Sequence, residues 1–264
     1  MNRINKLFSE KKKDILNVYC TAGFPQLDDT LKVLFFLQKY GADMVELGMP
    51  YSDPVADGPV IQQSSATALQ NGMTIKKLFE QLKNCRNTIT PIGDSSFQLP
   101  LILMGYLNPV MQYGIEKFCN HAKDAGVDGI ILPDLPFYEF ENEYRKYFEQ
   151  NNLSFIFLIT PETSEERIRE IDSVSNGFIY AVSSSSTTGN NKEIAQQENY
   201  FLKIKQMSLK NPILIGFGIK DKQTFQSACK YSNGAIIGSA YITALQNVTD
   251  IEAATQQFFG GILR

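Results

Sequence analysis

Tyr40-Gly41-Ala42-Asp43-Met44-Val45-Glu46-Leu47 closes one helical pattern and opens a short apolar run, and the same layout returns three times along the chain. Ala125-Gly126-Val127-Asp128-Gly129-Ile130-Ile131-Leu132, Ser175-Asn176-Gly177-Phe178-Ile179-Tyr180-Ala181-Val182 and Ser232-Asn233-Gly234-Ala235-Ile236-Ile237-Gly238-Ser239 repeat it. In each, a glycine suited to the left-handed position that ends a helix is followed within a few residues by a β run. They read as αβ joints of one recurring unit.

Between these joints lie further strand candidates at 15–20, 101–105, 155–160 and 212–216, so that eight strands start near 15, 44, 101, 129, 155, 178, 213 and 235. Helical patterns alternate with them, at 28–40 with apolar Leu31, Leu34, Phe35 and Leu37, and at 138–150 and 199–209. Another opens at Ser164, a capping residue with Glu165 and Glu166 in the first turn. Eight β-then-α units in one chain predict an α/β fold, a (β/α)8 TIM barrel forming a single domain over residues 1–264. A doubly wound sheet is the structural alternative, but it carries a glycine fingerprint after its first strand, and Thr21-Ala22-Gly23-Phe24-Pro25 is no G-x-G-x-x-G.

The chemistry of such a barrel sits at the C-terminal strand ends. The second strand runs on into Gly48-Met49-Pro50-Tyr51-Ser52-Asp53-Pro54-Val55-Ala56-Asp57-Gly58-Pro59. Along a strand, side chains alternate faces, so Met44, Glu46 and Gly48 share one face and Val45 and Leu47 the other. Glu46 is a carboxylate inside a run too apolar for an exposed edge, and the proline-stiffened loop beyond it presents Asp53 and Asp57. A carboxylate on a strand and another on a stiff loop are what acid–base work on a small molecule needs. The plainer reading, in which Glu46 pairs with a neighbouring cation and both aspartates merely form turns, stands beside it.

The last three strand ends carry a second signal. The loop Ser183-Ser184-Ser185-Ser186-Thr187-Thr188-Gly189-Asn190 is rich in hydroxyls, and Gly216-Phe217-Gly218-Ile219 and Gly238-Ser239-Ala240 put glycine where a strand gives way to a helix. Glycine lets backbone N–H groups approach an anion closely, and Ser239 is placed to cap the helix that follows. In this order the motifs predict a phosphate site, with the serine-rich loop either a surface loop or a lid whose Thr188 reaches toward Asp57.

The 264 residues are 43% apolar, with 25 Lys plus Arg against 28 Asp plus Glu, a formal charge of −3. That balance argues against nucleic acid or an anionic membrane as partner. No run of 18 apolar residues occurs and no secretory pattern follows Met1-Asn2-Arg3-Ile4, so a cytoplasmic location is expected. Cys20, Cys85, Cys119 and Cys229 are too scattered for a zinc site, and the single histidine, His121, sits in a helical pattern. Proton transfer must therefore rest on carboxylates and tyrosines.

Glu46-Leu47-Gly48-Met49-Pro50-Tyr51-Ser52-Asp53-Pro54-Val55-Ala56-Asp57-Gly58-Pro59 closely resembles the signature of the tryptophan synthase α subunit family. The likeness extends in order to Thr21-Ala22-Gly23-Phe24-Pro25, Tyr106-Leu107-Asn108-Pro109, Leu132-Pro133-Asp134-Leu135-Pro136, Thr188-Gly189, Gly216-Phe217-Gly218-Ile219 and Gly238-Ser239-Ala240. The resemblance implies cleavage of indole-3-glycerol phosphate to indole and glyceraldehyde 3-phosphate. It implies Glu46 as general acid–base, Asp57 facing the indole N–H, and Gly189, Gly218, Gly238 and Ser239 holding phosphate. Tyr19, Ile61, Tyr106, Ile131, Tyr180, Thr188 and Ile236 would then line the rest of the pocket.

It also implies a β subunit as partner, in an α2β2 assembly, with Asp53 near the interface. No cofactor or metal is expected in this chain, pyridoxal phosphate belonging to the partner. The chain departs from the family pattern at Ser186 and Thr187, where glycine and valine are usual, and carries a longer polar insertion at 90–98. Two other readings compete: a different phosphate-binding barrel such as indole-glycerol-phosphate synthase, which generally leans on a catalytic lysine that no predicted strand offers, and a silent partner that keeps only the phosphate site.

Overall fold

A computed structural model describes residues 2–83, 85–87, 96–183, 191–216 and 218–263, the side chains of 191–197 excepted. One all-parallel sheet organises them. Its strands are β1 (Ile15–Thr21), β2 (Met44–Gly48), β3 (Leu101–Met104), β4 (Gly129–Ile131), β5 (Ser154–Phe155), β6 (Leu158–Ile159), β7 (Ile179–Val182), β8 (Ile213–Gly216) and β9 (Gly234–Ile237). The order across the sheet is β5-β4-β3-β2-β1-β9-β8-β7-β6, so the chain's first strand lies in the middle.

The eight expected strands are all present, and the ninth arises because the fifth is split. Its first half pairs with β4 and its second with β7, while between them Ile156 N–H donates to Ile130 (2.9 Å) and Phe157 C=O accepts from Tyr180 N–H (2.9 Å). One extended stretch therefore serves both outermost places of the sheet.

Helices pack against the outward side chains, such as Leu16, Val18, Val45 and Leu47, in a continuous apolar layer. The other face gathers Ile15, Met44, Ile102, Ile131, Ile156, Phe178, Tyr180, Leu214 and Ile236 into a second cluster, which also holds Ile4 and Phe8. Those two belong to the helix Arg3–Glu10, which the sequence reading did not anticipate. Phe8 meets Phe178 at 6.0 Å between ring centres, and the flanking Asn2 amide donates to Ser154 Oγ at 2.7 Å. The helix fits because Gly129 leaves room: a Cβ there would lie 2.9 Å from Ile4 Cδ1. Asp128 ties this end together, accepting from Arg3 (3.1 Å) and, beside it, from Arg86 (3.1 Å) and Leu101 N–H (3.0 Å).

The joint glycines divide. Gly41 (φ 111°) and Gly126 (φ 75°) are left-handed as expected, while Gly177 and Gly234 are not. Gly234 is needed for a different reason: a Cβ on it would fall 2.1 Å from the Ile15 carbonyl oxygen. The expected helix 28–40 is a short 3-10 turn running into Thr30–Tyr40, and Ser164 caps Glu165–Val174 by accepting from Arg167 N–H at 3.2 Å. Among the described residues, no helix is long and apolar enough to cross a membrane.

Candidate active site

The C-terminal ends of the strands surround a cavity of about 340 Å³. From β2, Glu46 points into it, wholly buried, because the parity that sends Met44 inward sends Glu46 inward too. Asn17 of β1 donates from Nδ2 to Glu46 Oε1 at 2.6 Å, and Glu46 Oε2 has no hydrogen-bond partner among the described residues. Burial raises the Glu46 carboxyl to about 8, the Asn17 bond opposing only part of the shift. Tyr19, whose Cα is paired with that of Glu46, and Tyr180 of β7 form further wall, both hydroxyls pushed up by burial.

Asp57 reaches the same cavity from the loop after β2. Asp57 N–H donates to Pro54 O (3.0 Å), and Gln62 of the helix Pro59–Gln70 donates to Asp57 O (2.8 Å). Pro59 starts that helix, a position where its missing N–H costs nothing. The Tyr106 hydroxyl donates to Asp57 Oδ2 (3.2 Å) while accepting from Ala56 N–H (3.0 Å). Burial raises Asp57 to about 6, and the tyrosine bond restrains the rise.

Gly218, Gly238 and Ser239 line the same cavity. Gly218 is left-handed (φ 74°). Ser239 proves to be the first residue of the helix Ser239–Ala244 and not its cap; Gly238 holds the capping position, which spares a side chain from the strand-to-helix corner and leaves backbone N–H groups open to the cavity. Ile61 and Ile236 supply apolar wall.

Two expected lining residues lie elsewhere. Ile131, level with Met104 on the neighbouring strand, is fully buried in the apolar cluster with Ile102 and Ile236 and is not among the residues lining the cavity. Tyr106 lines a smaller adjoining hollow with Tyr51 and Pro133, which shares Tyr19, Asp57 and Met104 with the main cavity, and its hydroxyl bonds to Asp57. Thr188 and Gly189, with 184–190 generally and most of the 90–98 insertion, lie outside the described residues.

Sequence reasoning missed Asn17, Met104, Ile219, Lys220, Ala240 and Thr243. Asn17 was readable: a polar residue in an apolar strand is the same anomaly that exposed Glu46. Lys220 was readable too, as a cation two residues beyond the Gly218 turn; it is the one Lys or Arg lining the cavity among the described residues. No group of three His, Cys, Asp or Glu among the described residues could hold a metal ion. His121 is half-buried on its helix, its Nδ1 2.6 Å from the Tyr113 hydroxyl, far from the strand ends in its contacts.

A parallel α/β sheet with a buried carboxylate at one strand end, a half-buried one on the loop beyond it, and glycine turns lining the same cavity defines an α/β enzyme built for acid–base chemistry on a small molecule. The family model for the tryptophan synthase alpha chain matches residues 5–259. The tryptophan synthase alpha chain of Flavobacterium psychrophilum is 53% identical over 98% of this chain and 100% of its own length, and that of Bacteroides thetaiotaomicron 51% over 96% of each. Among solved structures, tryptophan synthase subunit alpha from Legionella pneumophila superposes with a TM-score of 0.86 at 34% identity, covering 99% of this chain and 97% of that one. A chain of Mycobacterium tuberculosis tryptophan synthase in its aminoacrylate-bound form gives 0.83 at 26% identity, over 99% and 100%. The chain belongs to the tryptophan synthase alpha chain family.

Proposed function

We propose that this chain is the α subunit of a tryptophan synthase, a lyase of tryptophan biosynthesis that cleaves indole-3-glycerol phosphate into indole and glyceraldehyde 3-phosphate. One observation carries the reading: Glu46, Asp57, Gly218, Gly238 and Ser239 line one cavity of a size suited to one small molecule. Purified chain incubated with indole-3-glycerol phosphate, alone and with a β subunit, should release indole; no release in either case would overturn it.

The fold is read as a single (β/α)8 barrel domain over residues 1–264, a reading supported by the run-on of β5 into β6 at the two outer places of the sheet. Tyr19, Ile61, Tyr180 and Ile236 hold the indole and glycerol, Tyr106 acts through Asp57, and Ile131 supports the floor. Gly218, Gly238 and Ser239, together with Gly189 of the serine-rich loop, take the phosphate end, Thr188 lies with the pocket lining, and Lys220 at the rim adds a positive charge at the phosphate end. No cofactor acts in this chain; the partner β subunit carries pyridoxal phosphate in an α2β2 complex of the cytoplasm, and exposed Asp53 lies toward that interface.

Cleavage starts when Glu46 gives its proton to indole C3, leaving an iminium-like ring whose N–H charge is balanced by ionised Asp57. Glu46, now a carboxylate, takes the proton from the neighbouring hydroxyl. The C–C bond breaks as the new carbonyl forms, and its electron pair restores the aromatic ring. At an ordinary carboxyl pKa the starting acid would cost about 3.7 kcal/mol at pH 7. Raised to about 8, Glu46 is mostly protonated there, and that cost disappears.

A further inference from the structure

Glu46 has one polar partner among the described residues, and that partner has two faces. Asn17 and Glu46 are both wholly buried, and Asn17 donates from Nδ2 to Glu46 Oε1 at 2.6 Å. The other end of each group, Asn17 Oδ1 and Glu46 Oε2, is buried without a hydrogen bond. Leaving a buried acceptor unpaired carries a penalty, and here two lie on one pair. Around them Met44 and Ile236 are apolar.

The titratable groups around Glu46 are Tyr19 from β1, Tyr180 from β7 and, through the cavity, Asp57 and Lys220, with Cys20 behind β1 in the outer apolar layer. The one cation among them, Lys220, is exposed at the cavity rim and makes no hydrogen bond to Glu46. Burial keeps the two phenols and the thiol neutral across the working range. Control of the Glu46 carboxyl therefore falls to a neutral amide.

An amide is suited to a carboxyl that changes charge within a turnover. Its NH2 donates to a carboxylate, and its oxygen accepts from a carboxylic O–H. A half-turn about the last side-chain torsion exchanges the two ends in nearly the same volume. A leucine of the same outline offers neither, and a lysine serves the carboxylate alone.

We propose that Asn17 is a positioning residue that keeps Glu46 hydrogen-bonded in both protonation states, donating from Nδ2 to the carboxylate and accepting at Oδ1 from the acid. This rests on Glu46 being the group that gives and then takes the proton. The two-way partner holds the carboxyl in one rotamer while its charge changes, so the same oxygen can serve both transfers.

The test is Asn17→Leu in the full chain, with indole release from indole-3-glycerol phosphate followed between pH 5 and 10. Wild type is measured first: if it releases no indole, the assignment of the reaction fails, whatever Asn17 does. With wild type active, kcat of Asn17→Leu should fall about 10- to 100-fold, the loss of one hydrogen bond to a charged group. KM should stay within about threefold, since the bond touches no substrate. The alkaline limb should move upward, because the carboxylate loses a stronger, charge-assisted bond than the acid does. An unchanged kcat and alkaline limb would overturn the proposal. Should Asn17→Leu lack the wild-type melting transition, infrared difference spectra of wild type against Glu46→Gln read the same bond. A carbonyl stretch at the position of a hydrogen-bonded acid supports the proposal, and one at the position of a free acid overturns it.

Discussion

Tyr19 lies over Gly48, with its hydroxyl oxygen 2.0 Å from where a Cβ on residue 48 would stand. The two are two residues out of step on adjacent strands, Tyr19 pairing with Glu46 and Thr21 with Gly48, so the ring leans along β2 across the vacant Cβ position. Tyr180 uses Gly216 in the same way, its ring 2.3 Å from the corresponding point. Each glycine is what lets a large phenol lie flat against the wall beside Glu46.

Gly48→Ala is therefore expected to push the Tyr19 ring into the cavity. Catalytic efficiency should fall by about 10-fold or more, the scale for a misplaced site group, while overpacking of this kind costs about 1–3 kcal/mol of stability. Steady-state kinetics beside a denaturation curve would check both; wild-type kinetics would mean that the ring moves away from the substrate.

Glu46→Gln should nearly abolish indole release and leave substrate affinity little changed, measured by calorimetry with unreacted substrate. It should also alter the pH dependence of stability. The folded carboxyl, at about 8 against an ordinary 4.5, binds its proton more tightly than the unfolded chain does. Its contribution is thus full below about 4.5 and is lost as pH rises toward about 8. Urea denaturation at pH 6 and pH 8.5 should show the glutamine variant gaining on wild type at the higher pH.

Activity against pH should be bell-shaped. Asp57 must be ionised, so the acid limb lies near its value of about 6; Glu46 must start protonated, so the alkaline limb lies near about 8. Asp57→Asn should lower kcat by about two to four orders of magnitude and remove the acid limb. A profile flat from pH 5 to 9 would contradict both assignments.

Lys220→Met should raise KM about 3- to 10-fold with kcat within about twofold, and added salt should narrow the gap between variant and wild type. The side chain is exposed, so its charge acts at capture of the anionic substrate more than at the chemical step.

Much of this was legible in the chain because its β-then-α units repeat. Gly41 and Gly126 punctuate helices in a way a glycine pattern reveals, and Glu46 stands out wherever a strand is otherwise apolar. Gly234 misled for a local reason: close approach of the Ile15 backbone and left-handed geometry both select glycine, and only coordinates separate them. The split of the fifth strand was hidden because 154–159 reads as one continuous β-forming run, and the division comes from which neighbour each half meets. Ile131 and Tyr106 were placed by family pattern, which gives the wall a residue belongs to but not its depth. Helix Arg3–Glu10 escaped notice because a short amphipathic segment has meaning only once its target exists.

That last helix sets an order of events in synthesis. Ile4 and Phe8 leave the ribosome long before Phe178, the ring against which Phe8 rests. For most of translation this greasy segment has no seat, and its docking must wait for the seventh strand. A segment made first and fitted last can seat only on a nearly complete sheet, so its burial would mark the moment at which the nascent chain has gathered its inner face.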